Sequence, residues 1–284
     1  MTWPILLAVL FAALLHAGWN ALVKSSTDKT ADTALLHAMG ALVAWPLLLY
    51  VGLPQVESWP FIAVSLTIHV GYYIALAGAY QHGEMGMTYP IMRGLAPLLV
   101  ALGSAAVLGE VPSGAAWLGV MGITVGVTLV GLAHPGQALH HRKALAFAIA
   151  NAAIIACYTL VDARGARVSG NTLAYVLLLC ALDGLPYPLL VWWRRLPHER
   201  QALLHYARGR WPVATLGGVA SFGSYGIALW AMTQAPVASV AAVRETSVLF
   251  GVLLGSLLLK EKFGKQRALG ALVIVAGVMA LRLG

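Results

Sequence analysis

Ten uninterrupted apolar runs, each about as long as a bilayer is thick, dominate this sequence. They cover residues 3–23, 31–53, 60–80, 85–109, 113–133, 143–163, 171–193, 211–232, 236–259 and 265–283. A helix needs roughly 20 mostly apolar residues to cross the hydrocarbon core. In lipid the backbone polar groups are satisfied only within helices or closed barrels, and these runs are continuous rather than alternating, which disfavours a barrel. The expected fold is an all-α polytopic membrane protein with ten transmembrane helices. Of 284 residues, 60% are hydrophobic and only 10% charged, against about 25% charged in a soluble domain. That composition excludes a soluble enzyme, a disordered chain and a nucleic-acid module, despite a formal charge of +8.

The first run, MTWPILLAVLFAALLHAGWNALV, has no basic segment before it and exceeds a signal peptide's apolar core, so it reads as a retained helix. Cys157 and Cys180 both fall within runs and suggest neither a disulfide framework nor a metal site. The longest polar stretch, RRLPHERQALLHYARGR at 194–210, reads as an interfacial loop or short amphipathic helix. Residues 134–142 read as a mid-point linker, broken by Pro135 and Gly136.

The two halves resemble each other. Sliding the second half back by 151 residues places Arg244 on Arg93, Glu261 on Glu110, Gly270 on Gly119 and Gly277 on Gly126. Matches of Leu or Gly are cheap in this composition; matches of Arg and Glu are not. The pattern predicts a duplication, with one five-helix repeat at 1–133 and another at 143–284. An odd number of spans per copy turns the second copy upside down. Inverted repeats of this kind mark secondary transporters, whose site lies near the midplane between the halves.

The basic residues outside the spans divide unevenly. One side receives 13, among them Lys24, Lys29, Arg142, Arg194, Arg195, Arg210, Lys260 and Lys265; the other receives Arg164, Arg167 and Arg282. By the positive-inside tendency the first side is cytoplasmic and both termini are outside.

Four formal charges are read as lying deep within the spans, away from their ends: Arg93, Asp183, Arg244 and Glu245. Each costs at least about 2.5–3.5 kcal/mol at a helix centre, so such residues face a partner or a wet cavity. Arg244 and Glu245 adjoin in sequence but point about 100° apart, so each needs another partner. Pro97 removes the hydrogen bond to the Arg93 carbonyl, as Pro90 does for Gly86. Asp183 is followed by Gly184, Pro186 and Pro188, which predicts a kink at the carboxylate. The acid suits either a cation or proton site or a salt bridge to Arg93 or Arg244. His16, Trp19, Asn20, Tyr72 and Tyr89 add polar and aromatic groups well inside the runs, and His16 and Asn20 share a face. His37 and His69 read as satisfying buried carbonyls. Trp3, Trp45, Trp59, Trp192, Trp193 and Trp211 fit interfacial belts. Gly122/Gly126 and Gly251/Gly255 form GxxxG pairs that permit close packing within the chain or between two copies. No Walker loop, HExxH motif or nucleophile–base set is found, so no enzyme activity, ATP drive or cofactor is expected.

The segments VLGEVPSGAAWLGVMGITVGV (107–127) and LLKEKFGKQRALGALVIVAGV (258–278) resemble the close of the EamA-type repeat. That repeat has an LGE-type turn, a Gly nine residues on and another seven later. Glu110/Gly119/Gly126 and Glu261/Gly270/Gly277 match it, and HAGWNALVK (16–24) resembles the family's first helix. The second turn departs, reading LKEK, and helix 6 has ACYTL where helix 1 has AGWNA. The resemblance implies a drug/metabolite transporter superfamily member working by alternating access, with a cavity lined largely by helices 1, 3, 4, 6, 8 and 9. It also implies cytoplasmic termini, the reverse of the charge count.

The leading expectation is a multi-pass inner-membrane secondary transporter that exports an amino acid or related zwitterion or organic anion. In it Arg93 and Arg244 would meet a carboxylate, and Asp183 or Glu245 an ammonium or the coupling proton. A quaternary-ammonium or multidrug cation transporter, and a non-transporting sensor or assembly protein, are the alternatives. Expected partners are the small substrate, a proton and the lipid bilayer, with no nucleic acid; the protein is a monomer or homodimer. The charge count predicts that a cysteine at residue 2 is labelled from outside and one at residue 138 is not; labelling of 138 alone would reverse the orientation.

Overall fold

The computed structural model describes residues 1–83, 85–131, 142–259 and 264–283. The linker's residues 134–141, and Lys260, Glu261 and Lys262 of the second closing turn, lie outside the described residues. Within them the chain is helical, and ten helical segments are long and apolar enough to cross a membrane. These are α1 (Trp3–Lys24), α2 (Lys29–Val51), α3 (Trp59–His82), α4 (Met85–Leu108), α5 (Gly114–Gly131), α6 (Arg142–Val168), α7 (Thr172–Asp183) continued by α8 (Pro186–Arg194), α9 (Pro197–Gln234), α10 (Val237–Arg244) continued by α11 (Ser247–Leu259), and α12 (Lys265–Leu283).

Local chemistry sets the ends. Proline opens α1, α3, α8 and α9, where its missing N–H is no loss. Asp28 accepts the Ala31 N–H at 2.9 Å to start α2, and Asn171 accepts from Leu173 and Ala174 to start α7. Two expectations change. The stretch 194–210 is neither a loop nor a short helix of its own, because Pro197 opens a 38-residue helix that carries the eighth span. The sixth span runs on to Val168, so Arg164 and Arg167 are helical. α4 continues through Pro90 and Pro97, as the run 85–109 predicts.

The interior is built from small residues, including Ala12, Ala13, Ala163, Ala231 and Ala242, all fully buried. Such residues let membrane helices approach closely. Leu7, Leu49, Val70, Leu118 and Leu272 are exposed, as are all six belt tryptophans. A close seam joins α5 to α12. A methyl at Gly126 would fall 2.5 Å from Ile274 Cγ1 and 2.8 Å from the Gly270 carbonyl oxygen; one at Gly119 would fall 2.8 Å from the Gly277 oxygen.

At the face of the α1–α2 turn, two ion pairs join the first half to the second. Asp28 meets Arg195 at 2.7 Å, and Asp32 meets Arg210 at 2.6 Å with Tyr206 donating to it at 2.9 Å. Burial alone would raise the Asp28 carboxyl, but the Ala31 N–H and the Arg195 guanidinium together hold it below its ordinary range.

The glycine seam gives a direct contrast. Gly126→Ala should lower stability by about 1–3 kcal/mol through overpacking. Gly251→Ala, which meets nothing within 4 Å, should leave it unchanged or gain up to about 1 kcal/mol from helix propensity. Thermal melts of the purified protein check this, and equal effects would refute the seam.

Candidate functional site

A cavity of about 220 Å³ gathers eight of the nine residues singled out in the sequence: His16, Trp19, Asn20, Tyr72, Tyr89, Arg93, Asp183 and Arg244. It extends from mid-membrane, at Asp183 and Arg244, toward the α1–α2 turn, from which His16, Asn20 and His37 approach. The ninth, Glu245, does not line it. It lies behind Arg93, 2% exposed, with its Oε2 at 2.7 Å from Arg93 Nε. This is an ion-pair contact rather than an aligned hydrogen bond, and Arg93 also donates to Ser247 Oγ at 3.4 Å.

Among the described residues, two spans are interrupted inside the membrane, each at an acid. The seventh breaks after Asp183, where Gly184 and Leu185 turn the chain and Pro186 starts α8, as the prolines predict. The ninth breaks between Arg244 and Ser247 without any proline. There Glu245 N–H bonds the Ala242 carbonyl at 3.0 Å, and Thr246 bonds Val243 through both its N–H (3.0 Å) and its hydroxyl (2.7 Å). Ser and Thr offer the backbone such local alternatives. The polar cluster Arg-Glu-Thr-Ser within an apolar run was the available signal.

The two arginines differ. Arg93 is neutralised by Glu245. Arg244, 5% exposed, lies over the Tyr225 ring at 5.7 Å from the centroid, and its Nε and Nη1 are buried without a hydrogen-bond partner. Trp19 Nε1, in the same cavity, is also a buried donor with no acceptor. Asn20 donates to the His16 carbonyl at 2.7 Å, confirming their shared face. Asn151 donates to the Tyr72 carbonyl at 3.0 Å.

Asp183 pairs with neither arginine. Its partner is His69, Nδ1 to Oδ1 at 3.1 Å, so His69 serves a carboxylate rather than a buried carbonyl. Tyr158 packs edge-on against His69 (4.7 Å), Tyr72 (6.3 Å) and Tyr225 (6.4 Å). These rings connect the Asp183 end to the Arg244 end.

One residue escaped the sequence reading. Asp162, fully buried in α6, accepts hydrogen bonds from Tyr175 Oη at 2.8 Å and from Tyr225 Oη. It does not line the cavity but holds the ring on which Arg244 rests. It stands one residue from the end of its apolar run, 143–163, and two residues before Arg164.

No curated protein matches the chain. A solved crystal structure, described only as that of a protein, is 21% identical with a TM-score of 0.73, covering 100% of this chain and 98% of its own; at that identity the likeness shows the fold. The model of the EamA-like transporter family matches residues 142–283, half of the sequence. With that match and ten spanning-length helices, the chain belongs to the EamA-like transporter family of multi-pass membrane proteins.

Proposed function

We propose that the protein is a secondary active transporter of a small carboxylate-bearing metabolite, an amino acid or related zwitterion or organic anion, working by alternating access. One observation carries this reading: Arg244 is a buried guanidinium in the cavity whose Nε and Nη1 have no hydrogen-bond partner and which, among the described residues, makes no ion pair. An unpaired buried charge is unfavourable and is relieved by a counter-charge. Guanidinium geometry suits a carboxylate held by two parallel hydrogen bonds. Trp19 Nε1 supplies one more donor, so three buried donors in one cavity await acceptors. At the other end, Asp183 offers a counter-charge to an ammonium group. The volume of about 220 Å³ is below the roughly 300–1,000 Å³ of drug-sized pockets, which favours a small solute.

The rings around Asp183 favour a second reading, a quaternary-ammonium substrate. The uncompensated charge of Arg244 in the same cavity counts against it. The α5–α12 seam supports the inverted repeat. The 151-residue correspondence equates Gly119 with Gly270 and Gly126 with Gly277, whereas the contacts join Gly119 to Gly277 and Gly126 to Gly270. Exchanging equivalent residues reproduces the same contacts, as an in-plane two-fold axis requires. In a cell's inner membrane, with its basic face inward, the protein would export its solute using the proton gradient.

The test is thermal stabilisation of the purified protein by amino acids, dicarboxylates and quaternary amines, at two pH values. A true ligand at about 100 times its Kd should raise the melting temperature by about 5 °C. Arg244→Gln should weaken that ligand at least about thirtyfold while changing the stability of the empty protein little, because no partner is stranded. Glu245→Gln should instead lower stability by about 3–5 kcal/mol, since it strands Arg93. Unaltered carboxylate binding in Arg244→Gln would overturn the reading.

A further inference from the structure

Glu110, in the LGE turn, takes no part in the cavity, yet its side chain joins the two halves of the chain. Gly109, with φ of 70°, ends α4 in a left-handed turn. Glu110 N–H bonds the Ser104 carbonyl at 3.2 Å, and the Ser104 hydroxyl donates back to the Glu110 carbonyl at 3.1 Å. The turn so built aims the carboxylate at the second half. One oxygen meets Arg167 Nη2 at 2.5 Å; the other accepts the N–H of Val237, the first residue of α10, at 2.8 Å. Arg167 donates onward to the Met232 carbonyl through Nη2 (2.7 Å) and Nε (3.0 Å). One carboxylate thus ties the α4–α5 turn to the end of α6 and to both sides of the α9–α10 turn. A negative charge at a helix N-terminus and charge-assisted hydrogen bonds both strengthen the junction.

Its position matters more than its strength. Glu110 and Arg167 line a second cavity, of about 620 Å³, together with Met1, Gln234 and Leu281. This is the face bearing the termini, opposite the α1–α2 turn toward which the Arg244 cavity extends. The eight residues of α10 reach from one to the other, about 12 Å. Glu110 holds the outer end of this helix, and its inner end is Arg244. Between them Val240 and Val243 are fully buried.

We propose that Glu110 is the latch that closes the Arg244 cavity to the face bearing the termini, and that releasing Arg167 and Val237 opens it. The inference rests on the transport reading, since only a transporter needs its site reached from both faces. Its test needs no substrate. In a Cys157→Ser, Cys180→Ser background, the cavity residue Ser221 is replaced by cysteine and a membrane-impermeant maleimide is applied to either face of sealed, oriented vesicles. With Glu110 intact, labelling proceeds from the α1–α2 face. Glu110→Gln and Arg167→Gln should each speed labelling from the termini face about tenfold or more. Arg167→Lys, which keeps the charge but loses the fork, should give an intermediate rate and carries the test should the other variants fail to fold. Unchanged labelling in the variants that fold would overturn the latch. Faster labelling in the variants, together with an intact protein that moves no solute, would overturn the transport reading instead.

Discussion

A guanidinium and a carboxylate 2.7 Å apart within the bilayer, Arg93 and Glu245, set the arrangement of the site. Neither charge is tolerated there alone, so each fixes where the other must point. The pair crosses from α4 to the break in the ninth span. Because neighbours at a helix end point about 100° apart, turning Glu245 toward α4 turns Arg244 away from it, onto Tyr225 and into the cavity. The unpaired cation is thus a consequence of the paired one. It is supported in two other ways: the π face of Tyr225 lies beneath it, and it is the last residue of α10, where the helix dipole favours positive charge.

Asp183 and Glu245 each stand at a helix interruption, reached by different chemistry. At Asp183 the backbone is broken by Gly184 and Pro186; at Glu245 it is broken by a Thr side chain that competes for the Val243 carbonyl and an ion pair that pulls the chain aside. Irregular backbone at membrane depth is sustained only where it faces protein or a wet cavity. Here it faces both, with Gly184 packed so closely on α2 that a methyl group there would lie 2.7 Å from the His37 carbonyl oxygen.

The spans were legible because the bilayer imposes a length that apolar runs must meet, and the structure departs from them chiefly at their ends. The polar ends of α6 and α9 continue as helix beyond the apolar runs, where hydropathy has nothing left to report. The cavity residues were legible because charges are so scarce that each one inside a run needs an explanation. What could not be read was pairing. Arg93 with Glu245, and His69 with Asp183, join residues more than a hundred positions apart, and sequence spacing orders only neighbours on one helix. Asp162 escaped for the same reason: its partners, Tyr175 and Tyr225, come from α7 and α9.

The correspondence of Arg93 with Arg244 also carries a lesson in what a duplication preserves. Two unpaired guanidiniums would each cost at least about 2.5–3.5 kcal/mol at mid-membrane, with mutual repulsion added. Under the same shift Glu245 corresponds to Gly94, so only the second half carries an acid at that place. That one difference neutralises Arg93 and leaves a single positive charge uncompensated. Gly94 itself packs against α5, where a methyl group would lie 2.8 Å from Thr128 Oγ1, so a larger acidic side chain there would have to displace that helix. The two positions therefore differ in setting: one arginine is paired across helices, and the other lies in the cavity over the Tyr225 ring.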